Sequence, residues 1–372
     1  MGKTKFYGED LAEAIERLPQ GKPQADAYLD AIRQADEAGD SYWRMMFRCK
    51  YVYEVTFRDD PPKAIPVAAE FCVLFDEHGE TFREISPDGA NEMHLMIIQM
   101  GIDPIVYMPQ IPMEQWEKLM EEFYRWVKYY NIGLRTYWWQ MARFWQYIDR
   151  DKAYQYFQKF WKHFRDSLSD CRACERSYAV QMELMMGNRE AADAYAKPME
   201  LGRLRLCNDT PQLYLLAYLE YDLNHGDMKE AQKRASALYC KGNRDKSDLS
   251  YIGAVLRCWA DTDPERALAL FAERLEWSIG MWDQKKVYDF SKGACILFRR
   301  LDRVCQTVNL ELPQSFALWR EDGVYSVKEL ADWFLTQARS IGRRFDQRNG
   351  SHYFEEDLSV ALTVPELCQK VN

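Results

Sequence analysis

Glycine and proline are scarce in this sequence: its 372 residues include 18 Gly and 14 Pro. Folds with many strands need both residues at their turns and edges, so the shortage argues against a loop-rich or strand-rich protein. Positive charge is also in deficit, because 49 Lys and Arg face 58 Asp and Glu for a formal net charge of −9. Nucleic-acid-binding proteins concentrate positive charge on one face, so we expect no nucleic-acid partner.

Long apolar runs are missing too. No stretch approaches the roughly 18 apolar residues that a membrane helix requires, so we expect no membrane partner. The opening stretch MGKTKFYGEDLAEAIERL lacks the apolar segment of a secretory signal. We therefore expect a cytoplasmic protein in which most of the 10 cysteines are reduced and buried.

Catalytic signatures are absent as well. The sequence has no GxGxxG, Walker A, HExxH or GxSxG motif, and its 5 histidines are scattered. General acid–base catalysis needs two titratable groups in reach of one substrate, and no such pair stands out. We predict that the protein is not an enzyme.

Apolar residues are plentiful and periodic. In five places a turn is followed by an alanine that opens an apolar stripe: Ala64, Ala153, Ala192, Ala231 and Ala267. Two stripes are clear, Ala64, Val67, Ala68, Phe71, Cys72 and Phe75, and Ala153, Tyr156, Phe157, Phe160, Trp161 and Phe164. This spacing is typical of one face of an α-helix. A small residue at the start of the second helix lets two paired helices approach closely.

The turn and alanine pattern resembles the tetratricopeptide repeat (TPR), which has Gly at the turn, Ala five residues later and an aromatic residue four beyond. Gly187 with Ala192 and Gly226 with Ala231 match the first two elements; Ala153 with Phe157 and Ala267 with Phe271 match the last two. No unit carries the whole signature, and the units exceed the usual length of about 34 residues. The resemblance is therefore to divergent, TPR-like helical hairpins.

A group of bacterial TPR-type proteins without an assigned activity is similar to most of the chain. The similarity lies in the segments MPQIPMEQWEKLMEEF, SDCRAC, RLRLC with the following Pro211, and SVKELADWFLTQARSIGRRFDQRNGSHYF. It implies a fold and no activity.

We predict an all-α fold, a right-handed α-solenoid of antiparallel helical hairpins. Residues 1–78 are expected to form N-terminal hairpins, and residues 113–301 the TPR-like repeats. Residues 79–112 are rich in Pro and Gly, which predicts an irregular connection or hinge with a helix around 91–100. Residues 302–372 are expected to form a C-terminal helical cap.

The CxxC pair Cys171 and Cys174, with Cys207, is the first candidate site. Two thiolates so spaced at a helix start can bind one metal, and Cys207 just precedes the next hairpin. Asp166, Asp170 and His163 are candidates for a fourth ligand of a structural zinc. Reduced structural cysteines and a redox pair stay open as alternatives, although no strand–CxxC–helix context supports the redox pair.

Aromatic residues crowd the segment from Tyr137 to Phe164. Their helical spacing favours a hairpin core over a peptide-binding groove. Trp139 and Tyr147 fall off the main stripe, so we predict that they face a partner or the concave surface.

The segment RRFDQRNGSHYF concentrates Arg343, Arg344 and Arg348 near a predicted helix end. Arginine there complements the helix dipole, and Asn349-Gly350 is a natural stop. The functional alternative is a partner-binding cluster.

Such a solenoid presents a concave face that can bind an extended peptide or a helix, and the negative net charge favours a basic ligand. We therefore predict a non-catalytic helical-repeat scaffold that binds a protein or peptide. An immunity or toxin-neutralising protein and a peptide-responsive regulator are the alternatives, followed by an enzyme of unknown class.

Overall fold

The computed structural model describes residues 6–87, 89–207, 209–241 and 245–363. Within these ranges the chain forms seventeen α-helices. The first eight are α1 (Gly8–Glu16), α2 (Lys22–Ala38), α3 (Ser41–Arg58), α4 (Ala64–Ile85), α5 (Ala90–Ile102), α6 (Met113–Tyr130), α7 (Leu134–Trp145) and α8 (Arg150–Lys162). The others are α9 (Arg172–Met185), α10 (Arg189–Glu200), α11 (Thr210–His225), α12 (Met228–Lys241), α13 (Leu249–Thr262), α14 (Pro264–Ser278), α15 (Gln284–Leu301), α16 (Val327–Asn349) and α17 (Tyr353–Thr363).

Two short strands interrupt this series between α15 and α16. Strands β1 (Thr307–Asn309) and β2 (Val324–Ser326) pair antiparallel, with Val308 opposite Tyr325. Short 3-10 segments occur at Pro61–Lys63, Asp103–Tyr107 and Lys246–Asp248. The all-α prediction is confirmed.

The five alanines of the sequence pattern lie in the first turn of a helix, and all of them are fully buried. The helices concerned are α4, α8, α10, α12 and α14. The turn residues also behave as their chemistry requires. Gly226 ends α11 with φ of 77°, a left-handed conformation that costs glycine little, and the Asp263 side chain accepts a hydrogen bond from the Arg266 N–H at the start of α14.

The chain folds as two compact units. Unit 1 runs to Gln140 and includes Lys159–Ser169; unit 2 comprises Met141–Gln158 and the described residues from Asp170 onward. In unit 1 each helix from α1 to α5 contacts the next one along the chain, and α3 also contacts α5. The core of unit 1 is rich in aromatic side chains such as Phe47, Phe71, Phe75 and Phe82.

Helices of unit 2 contact both their neighbours and alternate helices. Helix α9 packs on α10 and α11, α11 on α12 and α13, and α13 on α14 and α15. Helix α15 then contacts α16, and α17 packs on both. One large core joins these helices, with Tyr218, Trp259, Phe271 and Phe290 among its fully or almost fully buried side chains.

The crossing of α13 and α15 is a backbone contact between two glycines. A Cβ atom built on Gly253 would overlap the Asp289 carbonyl and lie 2.8 Å from the Phe290 nitrogen. A Cβ on Gly293 would overlap the Gly253 carbonyl and lie 3.0 Å from the Gly253 Cα. Only glycine allows the two helices to approach this closely.

The predicted helix around 91–100 and the predicted stripe from Ala153 to Phe164 both fall within the described residues. The helix expected around 91–100 is α5, and residues 79–85 continue α4. The stripe ending at Phe164 is wrong at its last member, because α8 ends at Lys162 and Phe164 is 95% exposed. The four-segment division of the chain and the hinge at 79–112 stay predictions. None of the described helices is both long and apolar enough to cross a membrane.

Candidate metal centre and polar pocket

Three cysteines converge where α9 and α11 begin. Cys171 is the N-cap residue of α9, and Cys174 lies in the first turn of the same helix. Cys207 lies in the segment that leads into α11 and is followed three residues later by Thr210, the first residue of that helix. We call Cys171, Cys174 and Cys207 the thiol cluster. The convergence predicted from the sequence is present.

The sulfur atoms of the thiol cluster lie within 4.8 Å of one another. The Cys174 and Cys207 sulfurs are 3.2 Å apart, although 33 residues separate them in the chain. The Cys174 backbone N–H donates to the Cys171 sulfur over 3.3 Å, and the Thr210 hydroxyl lies 2.7 Å from the Cys207 sulfur. The cluster is therefore held by both helix starts.

The thiols of this cluster differ in acidity. Burial, followed by the hydrogen bond to Cys207, raises the pKa of Cys174 far above its ordinary value. Burial opposes ionisation of Cys207 too, but hydrogen bonds from Thr210 and Cys174 outweigh it and lower the Cys207 pKa. Hydrogen bonds from Thr210 and Cys174 therefore favour the thiolate form of Cys207, whereas burial favours the neutral thiol of Cys174.

No fourth protein ligand joins the cluster among the described Asp, Glu, His and Cys residues. The Asp170 carboxylate, one of the predicted candidates, accepts a hydrogen bond from the Tyr178 hydroxyl over 2.9 Å. Thiolates prefer Zn²⁺ and other soft or borderline metals, so the chemistry of the donor set suits zinc. The short distance between the Cys174 and Cys207 sulfurs would equally suit a disulfide after oxidation.

A second site is a polar pocket of about 200 Å³ in unit 2. Side chains from the α7–α8 turn with the first residue of α8, from α9, from α11 and from α17 line it. Its polar lining includes Gln146, Arg150, Gln181, Glu220, Tyr353 and Asp357. We call this site the polar pocket.

Glu220 is the unsatisfied charge of the polar pocket. Among the described residues it has neither a hydrogen bond nor an ion pair, and its surroundings act on it only through longer-range charge. Burial raises the pKa of Glu220, with the more distant Lys292 and Lys285 opposing the rise. An unpaired carboxylate in a partly closed site is costly, which points to a ligand rather than to a structural role.

The other described carboxylates near the pocket are paired. Asp357 accepts hydrogen bonds from the Lys292 ammonium over 2.7 Å and from the Tyr288 hydroxyl over 2.8 Å. Despite burial, Lys292 lowers the pKa of Asp357 to about 2. Lys285 donates to both carboxylate oxygens of Asp289 at 2.7 and 2.8 Å. These pairs leave Glu220 as the carboxylate free to bind a cation.

Aromatic rings and one arginine complete the pocket. The Arg150 guanidinium lies 5.7 Å from the centre of the Tyr353 ring, and the Tyr221 ring stacks on His225 at 3.9 Å. Gln181 donates to the Gln146 side-chain oxygen over 2.8 Å, which fixes both amides. Rings beside an unpaired carboxylate are a common arrangement for binding an organic cation.

Trp139, predicted to face a partner, does not face solvent. It is 5% exposed and packs on the Phe160 ring at a centroid distance of 5.7 Å. Helix α7 buries side chains on more than one face, since Phe144, five residues further along the helix, is buried as well. A residue that falls off one apolar stripe is therefore still a core residue in this helix.

Tyr147 and Arg348 belong to a corner where α16 meets α17. The Tyr147 ring stacks on Phe354 at 5.6 Å, and its carbonyl oxygen accepts a hydrogen bond from the Ser351 hydroxyl. Arg348 is half-buried, lies over the Phe144 and Phe345 rings, and has its pKa lowered by burial to about 10. These contacts give both side chains structural roles, and partner binding by either stays a prediction.

Arg343 and Arg344 are exposed on α16. Arg343 lines an open groove of about 320 Å³ beside Glu355 of α17. The corner itself is held by Asp346, whose two oxygens accept the Phe354 and Glu355 backbone N–H groups over 3.0 Å. Much of the polarity of RRFDQRNGSHYF is thus used within the chain.

Sequence reasoning missed the polar pocket. One signal for it exists in α11, where Ala217, Glu220, Tyr221 and Asn224 follow helical spacing and break the apolar character of that helix. No family model, curated protein or solved structure matches the chain. Its function must therefore be inferred from the geometry of these two sites.

Proposed function

We propose that this chain is a non-catalytic helical-repeat scaffold that binds a protein or peptide partner. The polar pocket is the observation that carries the proposal, because it holds a carboxylate that the described part of the chain leaves unpaired. Four separate segments supply its walls, and such convergence of distant side chains is typical of a ligand site.

The proposed architecture is a TPR-like right-handed solenoid of antiparallel hairpins with this pocket on its concave face. Two observations support it. The alternate helices α9, α11, α13 and α15 contact one another in order, as the inner layer of a solenoid would. The buried alanine recurs in the first turn of α10, α12 and α14, where the second helix of a TPR-like unit begins.

The partner we propose is a basic segment with an arginine side chain in the pocket. Glu220 would pair with the guanidinium, which Tyr221 and Tyr353 can contact through their ring faces. The formal net charge of −9 would draw such a segment toward the chain.

The test is the binding of short fluorescent peptides, followed by anisotropy. One pool has a central arginine between randomised residues; the matched pool has citrulline, which keeps the shape and removes the charge. We expect the arginine pool to bind and the citrulline pool to bind at least about tenfold more weakly, a loss of roughly 1.4 kcal/mol.

Two variants test whether the peptides bind in the polar pocket. Glu220→Gln should abolish the preference for arginine, whereas Glu276→Gln, at an exposed position of α14, should retain it. Equal binding of the two pools by the wild type, or an unchanged preference in Glu220→Gln, would overturn the proposal.

A further inference from the structure

The thiol cluster offers three sulfur ligands for a metal, and no fourth ligand joins them among the described residues. This geometry predicts a property of the chain that is independent of peptide binding. We propose that Cys171, Cys174 and Cys207 bind one zinc ion whose fourth position is taken by an exchangeable ligand such as water. The site would join the starts of α9 and α11.

The distances between the sulfurs suit this metal. Zinc–thiolate bonds of about 2.3 Å in a tetrahedron place sulfur atoms about 3.8 Å apart. The three sulfurs already lie within 4.8 Å, and the closest pair is at 3.2 Å. Small side-chain rotations therefore reach the coordination geometry, without movement of either helix.

The surroundings favour negative charge on the sulfurs. Helices α9 and α11 have 14 and 16 residues, and both direct their N-termini toward the cluster. The partial positive charge of a helix N-terminus stabilises a nearby thiolate. The Thr210 hydroxyl at the Cys207 sulfur would be an outer-shell donor that orients this ligand.

The open position distinguishes this centre from ordinary structural zinc sites, which have four protein ligands. Cys171 is exposed, so solvent can reach the metal from its side of the cluster. A small thiol or anion can therefore replace the bound water. Binding of zinc would release the protons of the thiols that ionise and displace the hydrogen bond between Cys174 and Cys207.

The metal would also set the spacing of two pocket helices. Gln181 on α9 and Glu220 on α11 both line the polar pocket, and the thiol cluster lies at the starts of these helices. The segment from Cys174 to Cys207 contains α10, so one metal would close this loop. Loss of zinc should loosen the α9–α11 contact.

The test begins with the zinc content of the full chain, reduced, loaded with zinc and passed through a desalting column. We expect one zinc per chain in the wild type and a loss of zinc in Cys207→Ser. Cys240→Ser is the matched control, because Cys240 is an exposed cysteine on α12 outside the cluster. Thr210→Val should weaken zinc binding by about tenfold while keeping all three ligands.

Cobalt gives a second readout of the ligand set. The Co²⁺-loaded chain should show the visible bands of a tetrahedral thiolate site, and added 2-mercaptoethanol should change them by occupying the fourth position. Bands insensitive to the added thiol would overturn the open position and indicate a fourth protein ligand.

Two further results would overturn the zinc site itself. One is a reduced wild-type chain that retains no zinc. The other is a Cys207→Ser variant that retains as much zinc as the wild type. Because Cys171 is exposed, Cys171→Ser is the variant least able to disturb folding, and circular dichroism of it separates ligand loss from unfolding.

Discussion

Gly293 on α15 lies directly against the backbone of Gly253 on α13. A methyl group on Gly293 would overlap a carbonyl oxygen, which cannot rotate away as a side chain can. We expect Gly293→Ala to lower the free energy of unfolding by about 2–3 kcal/mol, as overpacked sites do. Urea unfolding followed by circular dichroism would measure it.

Gly342→Ala on α16 is the matched comparison. Its nearest neighbour would be the Phe354 Cβ at 3.1 Å, a distance that a shift of a few tenths of an ångström between α16 and α17 relieves. Alanine also favours a helix over glycine by up to about 1 kcal/mol, so this variant should lose far less stability than Gly293→Ala. Equal stabilities of Gly293→Ala and the wild type would show that α13 and α15 can separate freely.

Asp222 is a buried carboxylate that joins three helices. It accepts hydrogen bonds from Arg189 of α10 over 2.8 Å and from Arg234 of α12 over 2.7 Å. Asp222→Ala would remove two charge-assisted hydrogen bonds, while Arg189 keeps its ion pair with Asp193 and Arg234 its longer contact with Glu230. We expect a loss of about 2 kcal/mol in thermal or urea unfolding. Asp332→Ala breaks only the exposed pair with Lys328 and should cost far less than Asp222→Ala.

The pair of Asp357 and Lys292 predicts an acid-sensitive contribution to stability. The folded pKa of Asp357 is lowered from 3.8 to about 2, so its contribution is complete above pH 3.8 and is lost as pH falls toward 2. We expect Asp357→Asn to cost roughly 2 kcal/mol at neutral pH and almost nothing near pH 2.

Urea unfolding at several pH values between 2 and 6 would test this assignment. In Lys292→Met the same Asp357→Asn change should cost much less, because the ion pair is already broken. An Asp357→Asn cost that does not vary with pH would contradict the ion-pair explanation.

The pKa of Glu220 is shifted in the opposite direction to that of Asp357, so its effect on stability has the opposite dependence on pH. Its folded pKa is raised above 4.5 chiefly by burial, so the wild type loses stability as pH rises from 4.5 through the folded pKa. Glu220→Gln removes the cost of a half-buried, unpaired charge and should raise the free energy of unfolding at neutral pH by about 1 kcal/mol. A neutral-pH stability below that of the wild type would mean that Glu220 is paired in the free protein.

The thiol cluster could be predicted from sequence because it depends on local rules. Cys171 and Cys174 lie at the start of α9, and Cys207 lies just before the start of α11, which packs on α9. The all-α class and the buried alanines follow from periodicity in the same way. Each of these features is encoded within one helix or between two adjacent pairs.

The polar pocket and the burial of Trp139 depend on packing between helices that are far apart in the sequence. Trp139 is buried because α7 has more than one covered face, and a single periodic stripe does not reveal the second. Glu220 and Asp357 line one pocket, yet nothing local in the sequence places α17 beside α11. Residues of this kind can be found only once the helices are placed in space.

The order of synthesis decides when the polar pocket can exist. Of the residues that line the pocket, Gln146 and Arg150 lie early in unit 2, and Tyr353 and Asp357 lie near its end. The Tyr147 carbonyl oxygen accepts a hydrogen bond from the side chain of Asn349, 202 residues later. A chain emerging from the ribosome must therefore complete α9 to α16 before its last pocket wall is made. A nascent chain stopped before α17 would contain the thiol cluster, without the residues that finish the pocket.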